Sequence, residues 1–114
     1  MANPAKAKGT AAETAIVNYL RENGRPHVER RALNGALDKG DIAGIPGVVI
    51  EVKDHKVSSL SFPAYVDEAT AERDNANADI GFAWVKRRGT TDPAKWIVAM
   101  DGTTLVRLLH AAGY

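Results

Sequence analysis

Apolar residues at helical spacing predict a first helix from Thr10 to Asn23, which Gly24 can end. Residues 1–8 are rich in Ala, Lys and Pro, and we predict that they form a flexible N-terminal arm. Residues 9–114 then make up a single domain. The apolar face of the predicted helix contains Ile16, Val17 and Leu20.

Three strands are predicted after this helix, at residues 26–33, 41–45 and 48–53. The first is rich in charged side chains. The second and third form a hairpin around Pro46 and Gly47, which are residues typical of a turn.

The second half of the chain predicts a helix, two strands and a final helix. Pro63 suits the first turn of the second helix, and Asn77 can stop it. Residues 80–86 and 96–100 are predicted strands. This order of elements predicts an α/β fold with a central mixed sheet flanked by helices. The apolar face of the final helix contains Leu105, Leu108, Leu109 and Ala112.

The composition is that of one small globular domain of 114 residues. The chain has no cysteine, no secretory signal pattern and no apolar run near the roughly 18 residues that a membrane span needs. We therefore expect a cytoplasmic protein with no membrane partner, and a phage-encoded origin is an open alternative. The formal net charge of +1 neither indicates nor excludes nucleic-acid binding, because an acidic metal site would cancel basic residues elsewhere.

Charged residues interrupt the most strand-like segment, VVIEVK. Glu51 and Lys53 are two residues apart and therefore point to the same face of a strand. The simplest interpretation is a half-buried strand whose Glu51 and Lys53 lie in water. Asp41 changes that interpretation if it lies opposite Glu51, because two facing carboxylates repel each other unless a cation bridges them.

The length of the hairpin loop decides where Asp41 lies. A loop of two or four residues places Asp41 opposite Val52 or Ile50, whereas a loop of three residues, or a bulge near Gly44, places it opposite Glu51.

Glu13 is the third candidate carboxylate. Thr10 and Glu13 fit a capping box, which would give Glu13 a purely structural role. Glu13 also lies on or beside the buried stripe of the helix, where a carboxylate needs a metal or a basic partner. Both interpretations remain open on the sequence.

These residues together resemble the PD-(D/E)XK nuclease superfamily, with Gly40 in place of the proline that usually precedes the aspartate. More narrowly, the chain resembles the small Holliday junction resolvases of archaeal and phage type. The likeness covers roughly residues 8 to 86. It is carried by Lys8-Gly9 ahead of Glu13, by Arg30-Arg31 and Asn34-Gly35 ahead of Asp41, and by Glu51-Val52-Lys53.

The resemblance implies a restriction-endonuclease-like core of helix, three strands, helix and strand, with an additional strand and C-terminal helix. It implies that Glu13, Asp41, Glu51 and the Val52 carbonyl hold Mg²⁺, for which Mn²⁺ would substitute. Lys53 would complete the catalytic set of Glu13, Asp41, Glu51 and Lys53. The implied reaction is hydrolysis of a DNA phosphodiester by direct attack of water, without a covalent intermediate.

The implied substrate is a four-way DNA junction, cut by a homodimer that presents two sites. Two alternatives remain: another nuclease of the superfamily acting on linear, nicked or single-stranded DNA, or a catalytically silent nucleic-acid-binding module. His55 and His110 are predicted to be structural or surface residues, and Trp84 and Trp96 to pack in the core. The candidate DNA-binding residues are Arg30, Arg31, Asn34, Lys56, Lys86, Arg87 and Arg88.

Overall fold

The computed structural model describes residues 4–31, 38–55 and 60–114, with side chains from residue 9 onward. Within these ranges the chain forms one five-stranded sheet with three α-helices and a short 3₁₀-helix. The predicted α/β class is therefore confirmed. No helix in these ranges has the length and apolar character needed to cross a membrane.

The helices are α1 (Pro4–Glu22), α2 (Phe62–Asn75) and α3 (Gly102–Ala111), and the 3₁₀-helix is Pro93–Lys95. The strands are β1 (Glu29–Arg30), β2 (Ile42–Ala43), β3 (Val48–Lys53), β4 (Ile80–Val85) and β5 (Ile97–Ala99).

The strands lie side by side in chain order, and only β3 and β4 are parallel. A parallel pair requires a crossover connection, and α2 supplies it. The predicted mixed sheet flanked by helices is thus confirmed. The central position of β3 means that its backbone is paired on both sides and its faces are both covered.

The first helix begins earlier than predicted. It starts at Pro4 and includes Thr10, so the predicted start at Thr10 is wrong and the predicted boundary at residue 9 falls inside α1. Ala and Lys are strong helix formers, and Pro is well suited to a first helical position, which accounts for the longer helix. Its predicted end is confirmed, because Gly24 follows with a φ of 90°.

The predicted strand bounds agree most closely with the structure in the middle of the sheet. β3 runs from Val48 to Lys53, as predicted. The predicted strand at residues 26–33 is shorter, with pairing only at Glu29 and Arg30 in the described residues. This outer strand is too charged to be buried on both faces, and both of its residues are exposed.

The two faces of the sheet are covered by different helices. On the first face, Ile16 of α1 belongs to a buried cluster with Ile50 and Trp84. On the second face, α2 approaches β4 so closely that a Cβ on Gly81 would lie 2.8 Å from the Ala69 carbonyl oxygen. Glycine at this position therefore allows α2 to pack directly against the sheet.

The two tryptophans lie in the core, as predicted. Trp84 and Trp96 are each 7% exposed. The indole N–H of Trp84 donates to the Pro93 carbonyl, and that of Trp96 donates to the Thr90 carbonyl. Buried indole groups normally find such partners, and these two attach the loop after β4 to the sheet.

Candidate metal centre

Glu51 lies at the centre of the candidate site and is buried in the middle of β3. Its side chain points towards α2, and the residue is only 5% exposed. The simple interpretation of a solvent-facing Glu51 is therefore wrong. The reason is topological: β3 is a central strand paired with β2 and β4, and α2 covers the face that carries Glu51.

Asp41 immediately precedes β2, the strand next to β3, and lies close to Glu51. Ile42 lies opposite Ile50, which is the register of the three-residue hairpin loop. The Asp41 N–H donates to the Ile50 carbonyl at 2.9 Å, and its Oδ2 accepts from the Val52 N–H at 2.8 Å. The Asp41 carboxylate is thereby fixed beside Glu51 and raises the pKa of Glu51.

Gly40 stands where the resembled family has proline, and the backbone explains why. Gly40 has a φ of 94°, which proline cannot adopt because its ring fixes φ near −65°. A Cβ on Gly40 would also lie 2.9 Å from Cγ1 of Val49 and 3.1 Å from the Ile50 carbonyl oxygen. Glycine therefore allows the chain to turn close to β3, which places Asp41 within hydrogen-bonding distance of that strand.

Glu13 lies on the Asp41 side of the cluster. Its Oε1 accepts from Nε of Arg30 at 3.4 Å. Partial burial and the nearby Asp41 carboxylate raise the pKa of Glu13, although Arg30 acts in the opposite direction. The capping-box interpretation is wrong because Thr10 is inside α1, where its carbonyl accepts from the Thr14 hydroxyl.

Helix α2 brings two further carboxylates over β3. Glu68 and Glu72 are one helical turn apart, and Asp38 approaches from the segment before β2. The side-chain amide of Asn75 donates to the Asp38 carbonyl at 2.9 Å, which attaches that segment to α2. Asp38, Glu51, Glu68 and Glu72 each offer a carboxylate oxygen within 4.8 Å of the others.

The carboxyl groups of Glu51 and Glu72 are close together and poorly solvated. Burial, followed by contact with Glu72 and Asp41, raises the pKa of Glu51 to about 11. Burial also raises the pKa of Glu72 to about 7, and Asp38 and Glu68 contribute further repulsion. Without a cation, the pair therefore retains at least one proton at neutral pH.

Lys53 contributes an ammonium group to the cluster. Its Nζ lies 3.5 Å from Oε1 of Glu51 and also contacts Oε2 of Glu68. Burial alone would lower the pKa of Lys53, but Glu68 and Glu51 outweigh this effect and raise it. Lys53 therefore remains a cation and a hydrogen-bond donor, and it is unsuited to the role of a general base.

The donor set fits a hard divalent cation. Oε2 of Glu51 and both carboxylate oxygens of Glu72 are buried without a hydrogen-bond partner among the described residues. Buried carboxylates of this kind need a proton or a cation. The surrounding ligand atoms are carboxylate oxygens, which suit Mg²⁺, Mn²⁺ or Ca²⁺. The Val52 side chain packs in the core, and the role of its carbonyl stays a prediction.

The candidate DNA-binding residues lie in different places. Arg30 points to Glu13 and Thr10, while Arg31 is exposed and lines a groove with the β2–β3 loop, so only Arg30 of the two faces the cluster. Asn34 and Lys56 lie outside the described residues.

The remaining candidates follow β4. The Lys86 N–H donates to the Lys53 carbonyl, so the basic segment begins at the same end of the parallel pair as Lys53. Nζ of Lys86 lies 3.8 Å from Oδ2 of Asp54 and over the Trp96 ring. Arg87 and Arg88 are exposed.

Three cluster residues were missed on the sequence: Asp38, Glu68 and Glu72. A signal was present for the two glutamates, which are four residues apart on α2, the helix whose buried residues include Ala69 and Arg73. Glu72 is three residues from Ala69, so a carboxylate on the packed face could have been inferred. Asp38 lies in a loop-like segment and had no comparable signal.

Comparison with protein-family models, curated proteins and solved structures found no match. Membership of the PD-(D/E)XK superfamily accordingly stays a prediction from the residues that carry the resemblance.

Proposed function

We propose that the chain is a metal-dependent, structure-selective DNA endonuclease, with the Holliday junction as its first candidate substrate. The proposal is carried by one arrangement: the buried Glu51 carboxylate interacts with both the Asp41 carboxylate and the Lys53 ammonium. This arrangement combines ligands for a cation with a fixed positive charge beside them. A centre of this type suits a reaction in which negative charge develops on a phosphate.

Asp41 and Glu51 would hold the cation, with Glu13 next to Asp41 as a further ligand. A divalent cation at this position supplies a Lewis acid that activates water and neutralises charge on the phosphate. In the proposed hydrolysis, the water oxygen bonds to phosphorus and its proton passes to solvent. The bond from phosphorus to the leaving deoxyribose oxygen breaks, and that oxygen takes up a proton from solvent. Lys53 stays protonated, so it would orient the water or donate to a phosphate oxygen.

Basic residues around the cluster support a nucleic-acid substrate. Arg30 lies beside Glu13, and the half-buried Lys86 precedes the exposed Arg87 and Arg88 after the end of β4. These cations could contact phosphates on both sides of an acidic centre, which would otherwise repel DNA. We expect binding to weaken steeply as the salt concentration rises.

Cleavage is expected to depend on the identity of the cation. Labelled four-way junction, linear duplex, nicked duplex and single strand would each be incubated with Mg²⁺, Mn²⁺, Ca²⁺ or EDTA. We expect cutting with Mg²⁺ or Mn²⁺, and binding without efficient cutting with Ca²⁺, because its looser coordination positions the water poorly. Full activity in EDTA would contradict the metal mechanism. Preference for another substrate would leave a nuclease but remove the resolvase.

A homodimer is the proposed assembly, because a four-way junction needs two symmetric cuts. Apolar side chains available for an interface are exposed on α3 at Leu105, Val106 and Leu109 and on the outer strand β5 at Ile97 and Val98, each between 38% and 50% exposed. Light scattering at low micromolar concentration should give the mass of a dimer. The double substitution Leu105→Asp and Leu109→Asp should give a monomer, whereas Glu22→Gln at the exposed end of α1 should not. A parent chain that stays monomeric on junction DNA would contradict this assembly.

A further inference from the structure

Three carboxylates near α2 have no role in the proposed reaction, which uses Glu13, Asp41, Glu51 and Lys53. Asp38, Glu68 and Glu72 form a close group with Glu51, and the predicted ligands Asp41 and Glu13 are not members of that group. Asp41 instead interacts with both Glu51 and Glu13. Glu51 is the member that both groups share. The predicted catalytic set therefore accounts for only one half of the acidic centre.

The environment of Glu72 is the strongest indication that these residues bind a positively charged ligand. It is 2% exposed, and neither of its carboxylate oxygens has a hydrogen-bond partner among the described residues. Its neighbours in the cluster are the carboxyls of Glu51, Asp38 and Glu68. An ionised carboxylate in this position is costly unless a positive charge compensates for it.

The nearby basic side chains do not compensate Glu72. Lys53 contacts Glu51 and Glu68. Arg73 is the next residue along α2, but its guanidinium group faces other carboxylates. Its Nε pairs with Oδ1 of Asp74, and its Nη1 lies 4.0 Å from Oδ2 of Asp101. Among the described residues, the four carboxylates of Asp38, Glu51, Glu68 and Glu72 thus share one ammonium group, that of Lys53. An additional cation would allow all four to be ionised.

We infer that Asp38, Glu68 and Glu72, together with Glu51, form a second divalent-cation subsite. Its ligands are carboxylate oxygens, so the ion is a hard one of the Mg²⁺, Mn²⁺ and Ca²⁺ class. Glu51 is shared with the subsite of Asp41, and the centre therefore takes two ions. Only the use of the second ion in cleavage rests on the proposed function, because its binding can be measured without DNA.

The test is the number of Mn²⁺ ions bound, measured by electron paramagnetic resonance and by calorimetry on the full chain at neutral pH. The parent chain should bind two ions. Glu72→Gln and Glu68→Gln should each weaken one of them by more than about tenfold and leave the other. Asp41→Asn should weaken the other ion instead. Glu22→Gln, on the exposed end of α1, should bind two ions as the parent does.

Circular dichroism would establish that each variant is folded. The Glu68 side chain is 42% exposed, so Glu68→Gln should fold even if the substitution of the buried Glu72 does not. The test can then be decided on Glu68→Gln alone. The second subsite would be overturned if the parent bound a single ion, or if both glutamine variants bound Mn²⁺ as the parent does. Either result would leave the proposed nuclease intact. Two bound ions without cleavage of any DNA would instead overturn the nuclease and leave the subsite.

Discussion

Replacing Glu51 by glutamine is expected to lower the rate of junction cleavage by about a thousandfold or more. The neutral amide removes the carboxylate shared by both halves of the acidic centre, and a cation at such a centre contributes several kcal/mol of transition-state stabilisation. Asp41→Asn and Lys53→Ala should have effects of similar size. Single-turnover cleavage of labelled junction with Mg²⁺ measures the loss directly.

The fold should survive these substitutions. Glu51→Gln would replace a carboxyl group that must take up a proton when the metal-free chain folds, because burial, Glu72 and Asp41 raise its pKa. The metal-free variant should therefore be at least as stable as the parent. A gel-shift assay in Ca²⁺ would establish that junction binding is largely retained. Glu22→Gln is the matched control for the same chemical change at an exposed position, and it should cut at the parent rate. A Glu51→Gln variant that cuts as fast as the parent would show that the proposed centre is wrong.

The metal-free protein is expected to lose stability as the pH rises from about 5 to 8. Glutamate in the unfolded chain titrates near 4.5, whereas folding raises the pKa of Glu72 to about 7 and that of Glu51 to about 11. The folded state then holds protons that the unfolded state has released. Each such proton lowers the free energy of unfolding by about 1.4 kcal/mol per pH unit. This contribution is complete below about 4.5 and decreases as the pH rises through the folded pKa values.

Urea unfolding in EDTA at a series of pH values would measure this dependence. Glu72→Gln should flatten the decline between pH 5 and 7 and make the metal-free protein more stable than the parent at pH 8, while Glu22→Gln should leave the profile unchanged. Millimolar Mg²⁺ should restore the stability of the parent at pH 8, because it binds only the folded state. A stability that does not change from pH 5 to 8 in EDTA would contradict the burial of ionisable carboxyls in this cluster.

Part of the centre follows from local sequence. Glu51 and Lys53 share a face because the strand has a period of two residues, and the predicted bounds of β3 are confirmed. Asp41 could be placed beside Glu51 only conditionally, because the hairpin loop allowed more than one register. The pairing of Ile42 with Ile50 resolved this choice. The hydrogen bond from the Val52 N–H to Asp41 was not predictable from spacing, since it depends on the turn at Gly40.

The order of helices and strands and the α/β class follow from the sequence alone, because they depend on periodicity and short-range spacing. The candidate set of Glu13, Asp41, Glu51 and Lys53 also comes from the sequence, through the shared strand face of Glu51 and Lys53 and through the resemblance to the nuclease superfamily. The burial of Glu51 and its closeness to Glu68, Glu72 and Asp38 depend on the packing of the folded chain. The crossover of α2 between the parallel strands β3 and β4 lays this helix over β3. Such packing joins residues far apart in the chain, and no local pattern specifies which carboxylates will then share one small volume.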